Sequence, residues 1–224
     1  HVDPNMFPDP EMVKTFKHWQ PDNRELDRWS RDNRSFDALA AFRAWTFSFT
    51  GSGEPERLDG ALVTPGIFAV LGAQPALGRG FTPQENVVGN DRVAVISHRL
   101  WLRRFGGTPS ALGTAVTLDG YPHQIIGVLP EGFYLHLPGL EVAPDVLAPT
   151  AHDMSPRRKW TIHPVGGRLK AGVSAQQAKA DLQIAMKGLA AEQPRLYGGS
   201  TVNVIPMVED MSETVRQALL VLAG

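Results

Sequence analysis

The dipeptide Asp119-Gly120 constrains the fold of this 224-residue chain more than any other feature of its sequence. It separates two apolar-rich segments, residues 114–118 and 121–128. Asp followed by Gly suits a two-residue turn in which both residues take positive φ angles, and such turns join antiparallel strands. The sequence therefore predicts a β-hairpin here and a fold that contains antiparallel sheet.

A second hairpin is predicted earlier in the chain. Residues 43–50 carry aromatic side chains at alternate positions, and the turn-forming residues 51–55 lead into an apolar segment at residues 57–63. Further strands are predicted from apolar and β-branched composition at residues 11–19, 92–96, 145–149, 162–169 and 201–205.

The helices are predicted from their start and stop signals. The best specified is residues 174–191, because Ser174 and Gln177 form a capping box and apolar residues follow at helical spacing. Residues 22–42 are predicted as two helical segments, the second capped by Ser35. Shorter helices are predicted to begin at Thr64, Thr82 and Ser97.

The order of these elements predicts an α+β fold. A β-rich middle separates two segments that contain both strands and helices. No repeat of fixed period and no low-complexity segment interrupts this order.

Composition excludes several classes of function. The chain has 22 Lys and Arg against 23 Asp and Glu, a net charge of −1, so it lacks the positive charge typical of nucleic-acid binding. It contains no cysteine, which excludes disulfides and cysteine nucleophiles and argues against a structural zinc site. We expect no nucleic-acid partner.

No set of residues indicates a catalytic, cofactor-binding or metal site. The seven histidines include no pair at three- or four-residue spacing. Ser97-His98 is interpreted as a helix cap, since the nucleophile pattern G-x-S-x-G is missing. The sequence Gly51-Ser52-Gly53 lacks the third glycine of a dinucleotide site and is interpreted as a hairpin turn. We therefore expect no enzyme activity, no cofactor and no metal.

Basic and aromatic side chains are open to two interpretations. Arg99 and Arg103 share one face of a predicted helix, and Trp101 and Phe105 share another. An amphipathic helix with its arginines in solvent explains this pattern, and a solvated loop explains the basic segment at residues 156–159. The alternative for either patch is that it binds a partner protein or anionic headgroups. Of the tryptophans, those at positions 19, 45 and 160 mark either core or interface.

The apolar residues 218–224 at the end of the sequence also leave two possibilities. They form either a short core helix or the beginning of a membrane helix, because so short a segment does not distinguish the two.

Many motifs in one order resemble a known family. They are Asn33-Arg34-Ser35-Phe36, Leu39-Ala40-Ala41-Phe42, Val63-Thr64-Pro65-Gly66-Ile67-Phe68, Leu71-Gly72-Ala73-Gln74-Pro75, Gly78-Arg79-Gly80-Phe81, Val93-Ala94-Val95-Ile96-Ser97, Arg104-Phe105-Gly106-Gly107, Leu118-Asp119-Gly120, Ile126-Gly127-Val128-Leu129-Pro130-Glu131-Gly132-Phe133 and Gly167-Arg168-Leu169-Lys170-Ala171-Gly172-Val173-Ser174. From about Trp29 onward the chain resembles the MacB-like periplasmic core domain of ABC-transporter permeases.

The resemblance implies how the chain is divided. Residues 1–75 and 158–214 would form a porter-like subdomain, and residues 76–157 a smaller β-rich subdomain inserted into it. Residues 215–224 would begin a truncated membrane helix, with another membrane helix before His1.

The resemblance also implies a function. The domain would lie on the periplasmic or extracytoplasmic face of a bacterial inner membrane and, without catalysis of its own, couple ATP hydrolysis in the cytoplasm to transport or force transmission outside. Its partners would be a second permease copy, a cytoplasmic ATPase subunit or domain, and a periplasmic adaptor protein. The alternative function is a binding module that captures a small molecule, a peptide or a lipid.

Overall fold

The hairpin at Asp119-Gly120 is present in the computed structural model of the chain, which describes residues 12–16, 23–50, 54–137, 140–153, 165–199 and 201–206. Asp119 has φ of 52° and Gly120 has φ of 82°, as the predicted turn requires. The two strands pair antiparallel from Leu118 opposite Tyr121 outward. This prediction is confirmed.

The described residues form strands and helices in a mixed order. The strands are β1 (Met12–Phe16), β2 (Phe36–Thr50), β3 (Glu56–Val63), β4 (Leu77–Gly78), β5 (Val93–Ile96), β6 (Ala115–Leu118), β7 (Tyr121–Val128), β8 (Leu135–Leu137), β9 (Leu140–Val142), β10 (Val146–Pro149), β11 (Val165–Leu169) and β12 (Asn203–Pro206). The α-helices are α1 (Asn23–Asp32), α2 (Ile67–Leu71), α3 (His98–Phe105), α4 (Ala175–Glu192) and α5 (Pro194–Tyr197). The predicted α+β class is confirmed.

Six strands close into a ring. β2 pairs with β3, β3 with β10, β10 with β5, β5 with β7, and β7 with β6, which returns to pair with the end of β2. β4 pairs with the last two residues of β7, beyond the part of β7 that pairs with β6. Because β6 pairs on both sides, the ring leaves no open strand edge between β7 and β2.

The long strand β2 belongs to two parts of the sheet. Its residues 36–41 pair with β11, which continues through β1 to β12, and its residues 42–49 pair with β3 in the ring. The 15 residues of β2 therefore connect the outer strands to the ring without a break in the backbone ladder.

Side chains that alternate between the two faces of the strands separate the hydrophobic core into three clusters. Phe47, Leu58 and Ile96 belong to the cluster that the ring encloses. Phe42 and Val95, at the opposite parity in β2 and β5, belong to a cluster that also takes in α2 and the hairpin β8–β9. A third cluster joins α1 and α4 to the outer strands. Both faces of β5 and β10 are covered, so these two ring strands are buried along their whole length.

The prediction of a second helical segment at residues 36–42 is wrong, because these residues begin β2. Phe36 and Leu39 are buried against α1 and α4, whereas Ala40 and Phe42 are buried on the other face. A strand covered on both faces loses the alternation that marks a strand, and its apolar run then fits helical spacing equally well. Ser35 accordingly caps no helix, and its backbone N–H donates to the Asp181 carboxylate at 3.1 Å.

Several other local predictions are confirmed. Ser97 and Ser174 cap α3 and α4, and a capping box joins Thr82 to Glu85. Thr64 is an exception, because Gly66 is the N-cap of α2 and the Thr64 hydroxyl accepts a hydrogen bond from the Ala41 N–H at 2.9 Å. The hairpin β8–β9 and the short α5 were not predicted.

The division into residues 1–75, 76–157, 158–214 and 215–224 stays a prediction. The membrane-helix prediction for residues 215–224 falls outside the described residues, as do the turn at residues 51–53 and the basic residues 156–159.

Asp119 stabilises the closure of the ring at the point where β6 pairs with β2. Its carboxylate accepts hydrogen bonds from the indole Nε1–H of Trp45 and the backbone N–H of Ser48, both at 2.8 Å. Its own N–H donates to the Ser48 carbonyl oxygen at 2.9 Å. Only two residue pairs, Phe49 with Leu118 and Thr50 with Thr117, otherwise join β6 to β2.

We expect Asp119→Ala to lower the free energy of unfolding by about 2–4 kcal/mol, measured by urea denaturation. The change removes two hydrogen-bond acceptor contacts and places alanine at a positive φ, where its Cβ is disfavoured. Asp37→Ala is the matched control, since Asp37 is an exposed carboxylate of the same strand as Trp45. Equal stabilities of the two variants would contradict the closing role of Asp119.

Glu85 holds the loop after β4 through an ion pair. Its carboxylate accepts two hydrogen bonds from the Arg79 guanidinium, at 2.7 and 3.0 Å, and one from the Thr82 N–H at 2.8 Å. Burial raises the pKa of Glu85, but the bonds from Arg79 and Thr82 outweigh it and leave the pKa below its ordinary value of 4.5.

A lowered pKa in the folded state means that Glu85 stabilises the fold above pH 4.5 and loses this contribution as the pH falls further. We expect Glu85→Gln to be less stable than the parent by about 1 kcal/mol at pH 7. The difference should shrink as the pH is lowered below 4.5, when thermal unfolding of both proteins is followed. A difference that stays constant down to pH 3 would contradict the assignment.

Candidate functional site

The buried carboxylate of Asp145 lies at the start of β10 and organises the beginning of α3. It accepts hydrogen bonds from the Ser97 hydroxyl at 3.2 Å and from the Arg99 guanidinium at 2.7 Å. The Ser97 oxygen in turn accepts from the Leu100 N–H at 3.0 Å, as a helix cap does. The Ser97 hydroxyl therefore acts as both a hydrogen-bond donor and an acceptor in the structure of the helix terminus.

Two histidines, His98 and His123, pack as structural side chains. His98 packs edge-on against Trp101, with ring centroids 5.3 Å apart. His123 is buried, with Nδ1 2.9 Å from the Tyr121 carbonyl oxygen. Within the described ranges, no three His, Asp or Glu side chains come close enough together to hold a metal ion.

The arginines of α3 form ion pairs with neighbouring elements. Arg103 and Arg104 both bind the carboxylate of Glu56 at the start of β3, and Arg99 binds Asp145. The hydrogen bond from Arg104 holds the pKa of Glu56 below its usual value. These arginines are partly exposed, as the sequence predicts, and they attach the helix to the ring.

An open cleft of about 450 Å³ lies between β2, β3 and β9, and we call it the β9 groove. It is lined by Ala44, Trp45, Thr46, Asp59, Gly60, Leu140 and Val142. Its floor comes from β2 and β3, and its wall comes from β9. A second cleft of about 200 Å³ lies beside Ser97 and Phe133.

β3 approaches β10 closely at Gly60, one of the residues that line the β9 groove. A Cβ on Gly60 would lie 2.1 Å from the Val146 carbonyl oxygen, so only glycine allows this spacing. Trp45 is half-buried, with its indole N–H bonded to Asp119. Of the two interpretations for this tryptophan, the structure shows it packed against the ring cluster.

The groove was not predicted from the sequence. Its residues come from three separate stretches of chain. The last of these, β9, comes directly after residues 138–139, which lie outside the described residues. No motif spacing joins such residues; the pairing of β2 with β3 and the packing of β9 against the core bring them together.

The two ends of the described chain lie together. β1 and β12 pair antiparallel, with Val13 opposite Pro206. The chain therefore enters β1 and leaves β12 at the same end of the sheet. No helix in the described part of the chain combines the length and the hydropathy needed to cross a membrane.

Comparison with known proteins gives a consistent result. The family model for the MacB-like periplasmic core domain matches residues 4–185. A comparison with curated proteins finds no match.

Three solved structures share the fold. The periplasmic region of MacB from Actinobacillus actinomycetemcomitans has a TM-score of 0.65 at 14% identity, covering 94% of this chain and 92% of its own. The extracellular domain of the ABC-type transporter YknZ from Gram-positive bacteria has a TM-score of 0.60 at 18% identity, covering 87% and 99%. A domain of a putative permease protein from Porphyromonas gingivalis has a TM-score of 0.59 at 16% identity, covering 92% and 94%.

The resemblance found in the motifs is thus confirmed over most of the chain, by a family model and by the fold. The chain belongs to the family of MacB-like periplasmic core domains of ABC-transporter permeases.

Proposed function

We propose that the chain is a non-catalytic domain that couples ATP hydrolysis in the cytoplasm to transport or force transmission on the outer side of the membrane. The observation that supports this most is the shared location of the chain ends, with Val13 opposite Pro206. Segments attached to both ends would pull on one corner of the sheet, so that movements of two membrane helices would act on the domain together.

The sheet offers a path for that movement. From β12 the hydrogen-bonded strands run through β1 and β11 to β2, and the same β2 enters the ring. A 15-residue strand is about 50 Å long and is stiff because it is paired with neighbours along its length. A displacement at the chain ends would therefore reach the ring.

The nucleotide chemistry in this proposal belongs to another chain or domain. The sequence contains no G-x-x-x-x-G-K-[ST] loop. The proposed partners are a second permease copy, a cytoplasmic ATPase subunit or domain, and a periplasmic adaptor protein. The proposed location is the outer face of a bacterial inner membrane, with residues 215–224 beginning a membrane helix and the chain divided as predicted.

Cysteine labelling in intact cells tests the location. Because the sequence has no cysteine, Val88→Cys and Ile184→Cys each create a unique thiol at a position that is 61% or 70% exposed. We expect a membrane-impermeant maleimide to label both variants from outside the inner membrane. Val95→Cys, at a fully buried position, is the control and should react only after denaturation. Labelling of the exposed sites only after the membrane is opened would contradict the proposed location.

Crosslinking tests the coupling. Single cysteines at exposed positions, including Leu102 and Ile184, are screened in the membrane-bound protein for a reducible link between two copies. We expect linked copies to lose ATP-driven transport and to regain it when the link is reduced, because the domains can no longer separate. Full transport by linked copies would contradict coupling through relative movement of the two domains.

A second candidate function, capture of a ligand, is favoured by one observation. The β9 groove combines apolar wall residues, Leu140 and Val142, with the exposed carboxylate of Asp59. Such a mixture of apolar surface and a few polar groups is typical of binding sites.

A further inference from the structure

We propose that the β9 groove binds an extended peptide carrying a basic side chain, which adds a strand to the free edge of β9. This inference deepens the capture function and rests on it. It does not depend on coupling to ATP hydrolysis.

The free edge of β9 supplies the main-chain contacts. β9 pairs with β8 on one side only, in a two-stranded sheet separate from the large one. No third strand joins β8 and β9 in the described part of the chain. Unpaired N–H and C=O groups along a strand edge bind an added strand, and the groove takes its wall from β9 itself.

The floor of the groove leaves room for a backbone. Ala44 and Thr46 are the exposed residues of β2 here, and Ala44 carries only a methyl group. Small floor residues allow a peptide backbone to lie close to the sheet, while Leu140 and Val142 contact its apolar side chains. The volume of about 450 Å³ fits a short segment of peptide and not a folded domain.

Asp59 determines the charge of the peptide. Its side chain is exposed at the rim, and no hydrogen bond or ion pair joins its carboxylate to another described residue. The nearby carboxylates of Asp119 and Asp145 are both bonded already, to Trp45 and to Arg99. Asp59 therefore has its charge available for a lysine, an arginine or a terminal amine.

The tryptophan in the groove argues against a flat aromatic cation as the ligand. The Arg43 guanidinium lies 4.7 Å from the centre of the Trp45 ring, and the Trp45 N–H is bonded to Asp119. A cation already occupies one face of the ring, which opposes stacking of a second cation nearby. Trp45 is best suited to form a side wall.

The test is a nuclear magnetic resonance titration of the chain with two pools of acetylated, amidated hexapeptides. Both pools hold random mixtures of Val, Thr, Ser and Ile, with Lys at the third position in one pool and Glu in the other. We expect the Lys pool to shift the backbone amide signals of Ala44, Leu140 and Val142, and the Glu pool to bind about fivefold more weakly.

Two variants connect the signal to the groove. Asp59→Asn should abolish the preference for the Lys pool while leaving binding of both pools measurable. Ala44→Phe should fill the floor and abolish binding, whereas Ser48→Phe, on the same face of β2 but outside the groove, should bind like the parent. The unchanged amide spectrum of each variant shows that it is folded.

Three outcomes would overturn the proposal. One is the absence of any shift at millimolar concentrations of either pool. Another is a shift of the same signals with chain concentration alone, which would identify a second copy as the occupant. The third is equal binding of the two pools to the parent chain. Because the titration needs no membrane and no ATP, its failure leaves the coupling function standing.

Discussion

Closure of the six-stranded ring depends on a small number of contacts around Asp119. β6 is four residues long and bridges β7 to the last two residues of β2. The bonds from Trp45 and Ser48 to the Asp119 carboxylate add to these two residue pairs and to the bond from the Asp119 N–H to the Ser48 carbonyl oxygen. Residues that the ring encloses, such as Phe47 and Leu118, are fully buried.

The ring in turn gives the rest of the molecule its geometry. β3 and β10 pack so closely that position 60 must be glycine, and the pairing of β3 with β2 forms the floor of the β9 groove. The ring also receives β2, the strand that connects it to the outer sheet and to the paired chain ends at Val13 and Pro206. The ring therefore contributes to the stability of the fold, to the floor of the β9 groove and to the proposed path of movement.

Local signals in the sequence were reliable where a short stretch of chain determines its own structure. The Asp119-Gly120 turn, the capping box of Ser174 with Gln177 and the cap at Ser97 all occur as predicted, because each is a contact between residues close in sequence. Residues 36–42 were predicted wrongly because burial on two faces removes the alternation of a strand. β8 and β9 were missed although the turn-forming dipeptide Pro138-Gly139 lies between them, because each strand has only three residues.

The sequence by itself determined the α+β class, most helix ends, both long hairpins and the family, since these depend on local patterns or on motifs in a fixed order. Only the tertiary structure decided that the strands close into a ring, that Arg99 pairs with Asp145 and that Asp59 faces β9 across a groove. The physical reason is that these contacts join residues far apart in the chain. Their partners are selected by the packing of whole strands, and no spacing along the sequence records that selection.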